Sequence, residues 1–402
     1  MSKSSRTAYP LQWFFGLLSA WFIPASKPNA HKVVLTSFHG DGYRGNTRII
    51  FEALQDHPEI EAVWLTRNPD LCATLQQKFG HSKAALQHSW RGLRELGEAR
   101  ALFLTHGTSD FAFLKLPRHA AIIQTYHGLP TKRGEYMRPG TDKPPGAVHR
   151  KVLEYRFQPI THFLSSSETV SEVFSKRFGL PAGRFRETGF PMYESLVKRS
   201  GDEKSAVLQM LGIPETPHEK PAKIVLYAPT YRRRTRTRWL PFEALNTEKL
   251  SDFLEHENAW LCFRPHPNDF NPPKKLLECS PRILLSGQRV VEQTEVLVAA
   301  SDVIVTDYSS VYLEGLLRDI PPLFIPYDRD SYERGMPLPY DEFTPGPHIH
   351  SMDDFLSALS EALSGGAKYR EARERVRNMF FRHQGDDATA RVIKLLEEEI
   401  LR

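Results

Sequence analysis

Residues 301–335 read SDVIVTDYSSVYLEGLLRDIPPLFIPYDRDSYERG, and no other stretch restricts the fold as tightly. Val303 to Val305 is a short apolar run of strand type, while Val311, Leu313, Leu316 and Leu317 recur at helical spacing. Between them stand Thr306, Asp307, Tyr308, Ser309 and Ser310, hydroxyls around one carboxylate. The hydroxyls therefore sit where a strand hands over to a helix, with Ser309 or Ser310 at the N-cap and free backbone N–H groups pointing out of the helix start. That geometry binds phosphate, and it also serves as an ordinary capped helix in an α/β domain. A second apolar run, Pro322 to Pro326, is followed by Tyr327, Asp328, Arg329 and Asp330, so the unit reads strand, turn, helix, strand.

The same grammar recurs along the chain. His31 to Phe38 is a β-branched run, followed by the glycine-rich loop Gly40 to Gly45 and a helical pattern over Asn46 to Leu54. The loop is not GxGxxG, so no dinucleotide site follows. Ile60 to Thr66 is the next strand. Ala101 to Thr105 ends in His106-Gly107, and Ile122 to Tyr126 ends in His127-Gly128. A histidine at the carboxyl end of a parallel strand stands where open α/β sheets bind ligands, and it can take a proton from an alcohol. It can equally cap the next helix, and His106 is read that way. Phe163 opens a further strand–helix unit in which Ser167 caps a helix carrying Val173 and Phe174. Lys223 to Tyr227 leads into Ala228-Pro-Thr230-Tyr-Arg232, then Arg233, Arg234, Arg236 and Arg238. Trp260 to Phe263 leads into Arg264-Pro-His266-Pro267, where two prolines stiffen the turn.

At 402 residues, with 40% hydrophobic and 25% charged side chains, the chain has length for two domains with sizeable cores. The net charge of +5 suits an anionic substrate or an anionic membrane surface and is too small to argue for nucleic acid. Cys72, Cys262 and Cys279 are widely spaced and make neither a zinc pattern nor a disulfide framework, which points to a reducing compartment. Leu11 to Ile23, after Lys3 and Arg6, is apolar but too short to span a bilayer. A helix in the membrane interface, anchored by Trp13, Phe14, Phe15, Trp21 and Phe22, ranks above a helix packed on the protein itself. A signal peptide ranks last, for want of a small-x-small cleavage site before His31.

Taken together and in order, AVWLTRN (62–68), QTYHGLPTK (124–132), YAPTYR (227–232), RPHP (264–267), TDYSS (306–310) and YDxDxY (327–332) resemble the CDP-glycerol glycerophosphotransferase family. The resemblance runs from about residue 30 to about 385. Tyr126 stands where the family has Trp, and Met192 stands where it has a basic residue, so Met192 is given no phosphate role.

The resemblance implies a GT-B-like α/β fold, two Rossmann-type domains facing a central cleft, with a C-terminal helix crossing back. The expected parts are an N-terminal membrane-interface segment 1–29, an acceptor domain 30–199, a nucleotide-donor domain 200–375 and a C-terminal helix 376–402 on the first domain. The implied reaction moves glycerol phosphate, or a related alditol phosphate, from a CDP-linked donor to a hydroxyl of a cell-surface glycan or lipid-linked acceptor, releasing CMP. His127 is the expected base, with His266 and Asp307 also placed in the catalytic set. Thr230, Arg232, Arg264, Thr306, Ser309, Ser310 and Glu314 are expected at the donor and its phosphates. Gly128, Lys132 and Arg133 are expected at the acceptor. Asp328 and Asp330 are read as loop structure, so neither a metal nor another cofactor is expected. The expected location is peripheral, on the cytoplasmic face of the membrane. A glycosyltransferase using a nucleotide sugar and a non-catalytic glycan-binding protein are the competing readings.

Overall fold

The computed structural model describes residues 14–23, 26–111, 114–198, 203–214, 220–232, 235–266, 274–383 and 387–402. Lys3, Arg6, Trp13, Arg233, Arg234 and Pro267 lie outside the described residues. The chain divides into two compact units: the first takes 1–128, 143–194 and 385–402, the second 129–142 and 195–384.

The first unit is built on seven strands: β1 Lys32–Leu35, β2 Glu61–Thr66, β3 Ala84–Leu86, β4 Ala101–Leu104, β5 Ala121–Gln124, β6 His162–Leu164 and β7 Phe185–Arg186. They lie in the order β3-β2-β1-β4-β5-β6-β7, and every pairing is parallel. β1 and β4 are buried along their whole length, because helices cover both faces; this is why they read as unbroken apolar runs rather than alternating ones. The strand order reverses between β1 and β4, where Val33 pairs with Ala101, and loops diverge from such a point to leave a crevice at the carboxyl ends. Ser167 accepts from the Val170 N–H and opens helix Glu168–Phe178, as its spacing predicts.

The second unit has five strands: β8 Lys223–Tyr227, β9 Ala259–Phe263, β10 Ile283–Leu285, β11 Val303–Thr306 and β12 Pro322–Phe324. Their order is β10-β9-β8-β11-β12, again wholly parallel, with the reversal between β8 and β11. Each unit therefore has the doubly wound parallel architecture that the strand–loop–helix grammar predicts.

Two segments depart from the boundaries read in the sequence. Residues 129–142 follow β5 of the first unit yet group with the second. There Arg133 N–H donates to the Gly335 carbonyl at 3.2 Å, and Thr131 Oγ1 donates to the Tyr308 carbonyl at 3.5 Å. Of the expected C-terminal segment 376–402, residues from 385 on group with the first unit. Within that unit helix Ala388–Leu395 packs on helix Gly45–Ala53, Arg391 Nε donates to the Thr188 carbonyl at 2.7 Å, and Arg186 pairs with Glu399 at 2.8 Å. Helix Arg370–Phe380 stays in the second unit, where Arg373 pairs with Asp319 at 2.8 Å.

Residues 14–23 are helical and two-faced. Phe15, Ser19 and Ile23, spaced four apart, are buried; Phe15 meets the Trp90 ring edge-on at 6.1 Å, and Ser19 Oγ accepts from Lys115 N–H at 2.8 Å. Phe14, Leu17, Trp21 and Phe22 face solvent, Trp21 with 86% of its surface exposed. The helix thus packs on its own protein by one face and leaves an aromatic face uncovered. Among the described residues no helix is long and apolar enough to cross a membrane.

Candidate functional site

In the first unit three histidines converge from three strand ends. His39 follows β1, His106 follows β4 and His127 follows β5. The rings of His106 and His127 are stacked, 4.1 Å between centroids and 4° between planes, and His39 lies 4.5 Å from His106. Phe38 flanks both, 5.0 Å from His106 and 6.0 Å from His127. His106 is therefore not the helix cap read in the sequence. Its Nδ1 lies 2.8 Å from Thr105 Oγ1, and its ring forms one wall against His127.

Asp110, which the sequence reading passed over, ties these loops together. Its buried carboxylate accepts from Thr105 N–H at 2.6 Å, Thr105 Oγ1 at 2.9 Å and His106 N–H at 3.0 Å through one oxygen, and from His39 N–H at 2.7 Å through the other. The available signal was a lone acid four residues after a strand-end histidine. Phe38, His39 and Tyr126 hold positive φ values of 49°, 61° and 58°, a conformation that costs about 1–2 kcal/mol in a non-glycine residue. Such strain persists where surrounding bonds over-determine it, as the Asp110 bond does for His39.

His127 Nδ1 lies 3.4 Å from the Thr105 carbonyl oxygen, which only accepts. The ring proton therefore belongs on Nδ1, and Nε2 carries the lone pair. Burial, then the neighbouring His106, lowers the His127 pKa to about 3. The residue as a whole is nevertheless exposed to solvent. Burial, then the neighbouring His39, Arg156 and Arg44, lower His106 to about 4. Both imidazoles are neutral at neutral pH, so His127 is unprotonated and able to receive a proton. Gly128, at φ 152°, has open space where a Cβ would stand, so its backbone is accessible beside the ring.

In the second unit the residues expected at the donor fall into two groups. Arg232, Asp307 and Thr306 turn inward. Arg232 Nε and Nη2 engage Asp328 at 2.8 and 2.9 Å, Nη2 also engages Asp307 at 2.8 Å, and Nη1 donates to the Thr230 carbonyl at 2.5 Å. The rings of Tyr308, Tyr327 and Tyr332 surround the guanidinium at 5.2, 5.2 and 5.1 Å. Burial opposes the charge of Arg232, but the bonds to Asp328 and the charge of Asp307 outweigh it and raise its pKa. Asp307 is spent in turn, accepting from Thr230 N–H at 2.8 Å and from Tyr308 N–H as well as from Arg232. Thr306 Oγ1 donates to the Ala228 carbonyl at 2.8 Å. These residues form an ionic and aromatic knot joining YAPTYR, TDYSS and YDxDxY. Arg264 is likewise engaged: its two terminal nitrogens donate to the carbonyls of Ser286, Val291 and Glu292 and to Thr294 Oγ1, which pins the loop after β10.

The other group lies at the strand ends and the helix that follows β11. Among the described residues, Thr230 Oγ1 is buried without a hydrogen-bond partner. His266 is exposed and stacks on Tyr231 at 5.2 Å and 19°. Ser309 and Ser310 are half-buried at the start of helix Val311–Leu316; Ser310 makes no side-chain cap bond, and Ser309 Oγ reaches only 3.5 Å from Val311 N–H. Glu314 is buried on that helix. Lys132 and Arg133, read as acceptor residues of the first domain, belong to the second unit, where Arg133 pairs with Asp142. Among the described residues no group of three or more His, Cys, Asp and Glu is placed to hold a metal ion.

A family model, CDP-Glycerol:Poly(glycerophosphate) glycerophosphotransferase, matches residues 19–398. The teichoic acid glycerol-phosphate transferase of Staphylococcus aureus is 23% identical over 390 residues, covering 92% of this chain and 93% of its own length. The teichoic acid poly(ribitol-phosphate) polymerase of Bacillus spizizenii is 29% identical over 299 residues, covering 69% of this chain. The chain spans 46% of that polymerase, and about half the length of several other curated relatives it matches. Among solved structures, the wall teichoic acid polymerase TagF, in a variant soaked with CDPG, superposes with a TM-score of 0.75 at 21% identity over 96% of this chain and 93% of that one. That likeness shows the fold.

Proposed function

The chain belongs to the CDP-glycerol:poly(glycerophosphate) glycerophosphotransferase family, and we propose that it transfers glycerol phosphate, or a related alditol phosphate, from a CDP-linked donor to an acceptor hydroxyl in teichoic-acid-like or capsule polymer synthesis. The observation that carries this reading is the neutral His127, oriented by the Thr105 carbonyl so that Nε2 is free. The acceptor oxygen forms a bond to the β-phosphorus of the donor, the bond from that phosphorus to the bridging oxygen breaks, and CMP leaves with the electron pair. The hydroxyl proton passes to His127 Nε2. Transfer of this kind depends mainly on positioning and on stabilising charge.

In the second unit the donor is held by Thr230 Oγ1, by the Ser309–Ser310 helix start and by the His266–Tyr231 stack. The Arg232–Asp307–Asp328 knot fixes the loops that carry them. No resident metal takes part in this scheme; Asp328, the acid nearest to a metal-binding pattern, is engaged by Arg232 and Tyr308. The exposed aromatic face of residues 14–23 rests on an anionic membrane surface on the cytoplasmic side, where a glycan or lipid-linked acceptor is presented.

Incubating the full chain with CDP-glycerol, CDP-ribitol and nucleotide sugars, with and without EDTA, and following nucleotide release tests this reading. CMP release from a CDP-alditol, undiminished by EDTA, is expected. Release from a nucleotide sugar alone identifies a glycosyltransferase, and release from none identifies a binding protein.

A further inference from the structure

We propose that Arg44 is an acceptor-binding residue, holding the phosphodiester that precedes the attacking hydroxyl of a phosphodiester-linked acceptor. The proposal rests on the reading of His127 as the base, and it assigns the acceptor its chemical class within the first unit.

Arg44 is exposed, and its guanidinium carbon lies 3.8 Å over the centroid of the Phe38 ring. The same ring lies 5.0 Å from His106 and 6.0 Å from His127. One aromatic ring therefore links the cation to the base. Neighbouring arginines are neutralised: Arg48 pairs with Glu52 at 3.3 Å, and Arg67 with Asp41 at 2.6 Å. Among the described residues no carboxylate pairs with Arg44. Asp110, the acid of this region, is buried and spends its oxygens on Thr105, His106 and His39. An arginine stacked on an aromatic face keeps its edge donors, and those donors match the oxygens of a phosphodiester.

The platform under Arg44 is held in place. Phe38 N–H donates to Thr105 Oγ1 at 2.9 Å, and His39 N–H to Asp110 at 2.7 Å, which fixes two consecutive left-handed residues. Backbone strain of this kind over a strand end is maintained for the placement of side chains. The chemistry of the acceptor supplies the other half of the argument. In a poly(glycerophosphate) chain the terminal hydroxyl is separated from its nearest phosphodiester by a single glycerol. A base that receives the hydroxyl proton then has a negative charge close by, and a cation one ring away from the base answers it. A neutral sugar acceptor would leave Arg44 without a counter-charge.

The test compares Arg44→Gln with the parent on two soluble acceptors: a glycerol-phosphate oligomer, and the same oligomer with its last phosphodiester methylated to a neutral triester. The parent should show a KM about 10-fold lower for the charged acceptor, the size of one charge-assisted contact. Arg44→Gln should abolish that preference while leaving kcat and the KM for CDP-glycerol within about two-fold. Arg44→Lys, which keeps the charge, should retain part of the preference and guards against a fold defect in the glutamine variant. Equal loss on both acceptors, or a full preference retained in Arg44→Gln, overturns the proposal. His127→Ala in the same assay separates the two readings: inactive on both acceptors, it leaves the base assignment standing whatever Arg44 does; active like the parent, it removes the base and this proposal together.

Discussion

The imidazoles of His106 and His127 lie face to face, 4.1 Å apart and within 4° of parallel, so they cannot both be protonated without direct repulsion. Arg44, Arg156 and Arg177 add positive charge around the pair, while buried Asp110 is the counter-charge beneath it.

This arrangement sets a pH dependence of stability. The folded-state pKa values are lowered, to about 4 for His106 and about 3 for His127, from an unfolded value near 6.5. Between these values the unfolded chain binds more protons, so the contribution is fully present above about pH 6.5 and is lost as pH falls toward the folded values. The Tm of the parent should fall between about pH 7 and 5 by more than that of His106→Phe, which keeps the stack and removes one protonation site. Parallel pH profiles in the two proteins would contradict the assignment.

Arg232 is predicted to be a stability residue. Replacing it with Ala leaves Asp307 and Asp328 without their cation, and breaking such a buried pair costs about 3–5 kcal/mol. Denaturant titration should show a loss of that order. A variant as stable as the parent that had lost only donor affinity would return Arg232 to the phosphate-binding role read in the sequence.

Thr230 should behave in the opposite way. Its Oγ1 has no partner among the described residues, so Thr230→Val removes no hydrogen bond seen there and should leave Tm unchanged or slightly higher. The affinity for CDP-glycerol, measured by calorimetry, should fall about 5–10-fold. Unchanged affinity would take Thr230 out of the donor site.

The strand scaffold was legible in the sequence because both sheets are parallel and buried on both faces, so each strand is a bare apolar run and the polar residues after it mark a loop. Hence His127, Thr230, His266 and the Ser309–Ser310 turn could be placed at strand ends from their neighbours alone. The direction in which a strand-end side chain points could not. Arg232 finds its partners in Asp307 and Asp328, and Arg264 in the carbonyls of Ser286, Val291 and Glu292, contacts between segments far apart in sequence. An arginine after a strand looks the same in sequence whether it faces phosphate or its own protein. The grouping of residues 129–142 with the second unit rests on Gly335 and Tyr308, again remote in the chain. Asp110 escaped notice, and His106 was read as a helix cap, because one acid and one histidine carry no periodicity.

The aromatic face of residues 14–23 is predicted to bind anionic vesicles. Substituting serine at Phe14, Leu17 and Trp21 removes most of the exposed face and spares Phe15, Ser19 and Ile23, which pack inward. The triple variant should remain folded and float less with vesicles containing anionic lipid, and the deficit should persist in high salt because the apolar part of binding is not screened. Equal flotation of the two proteins would show that this face does not meet the membrane.

The central claim is that His127 is the base of the transfer. The most direct measurement is single-turnover CMP release by His127→Ala at saturating CDP-glycerol and acceptor, with donor affinity determined alongside. A general base contributes about 10²–10⁴-fold, so a rate loss of that size with donor affinity within about two-fold of the parent is predicted. Turnover equal to the parent's, or a loss explained wholly by weaker donor binding, would contradict it.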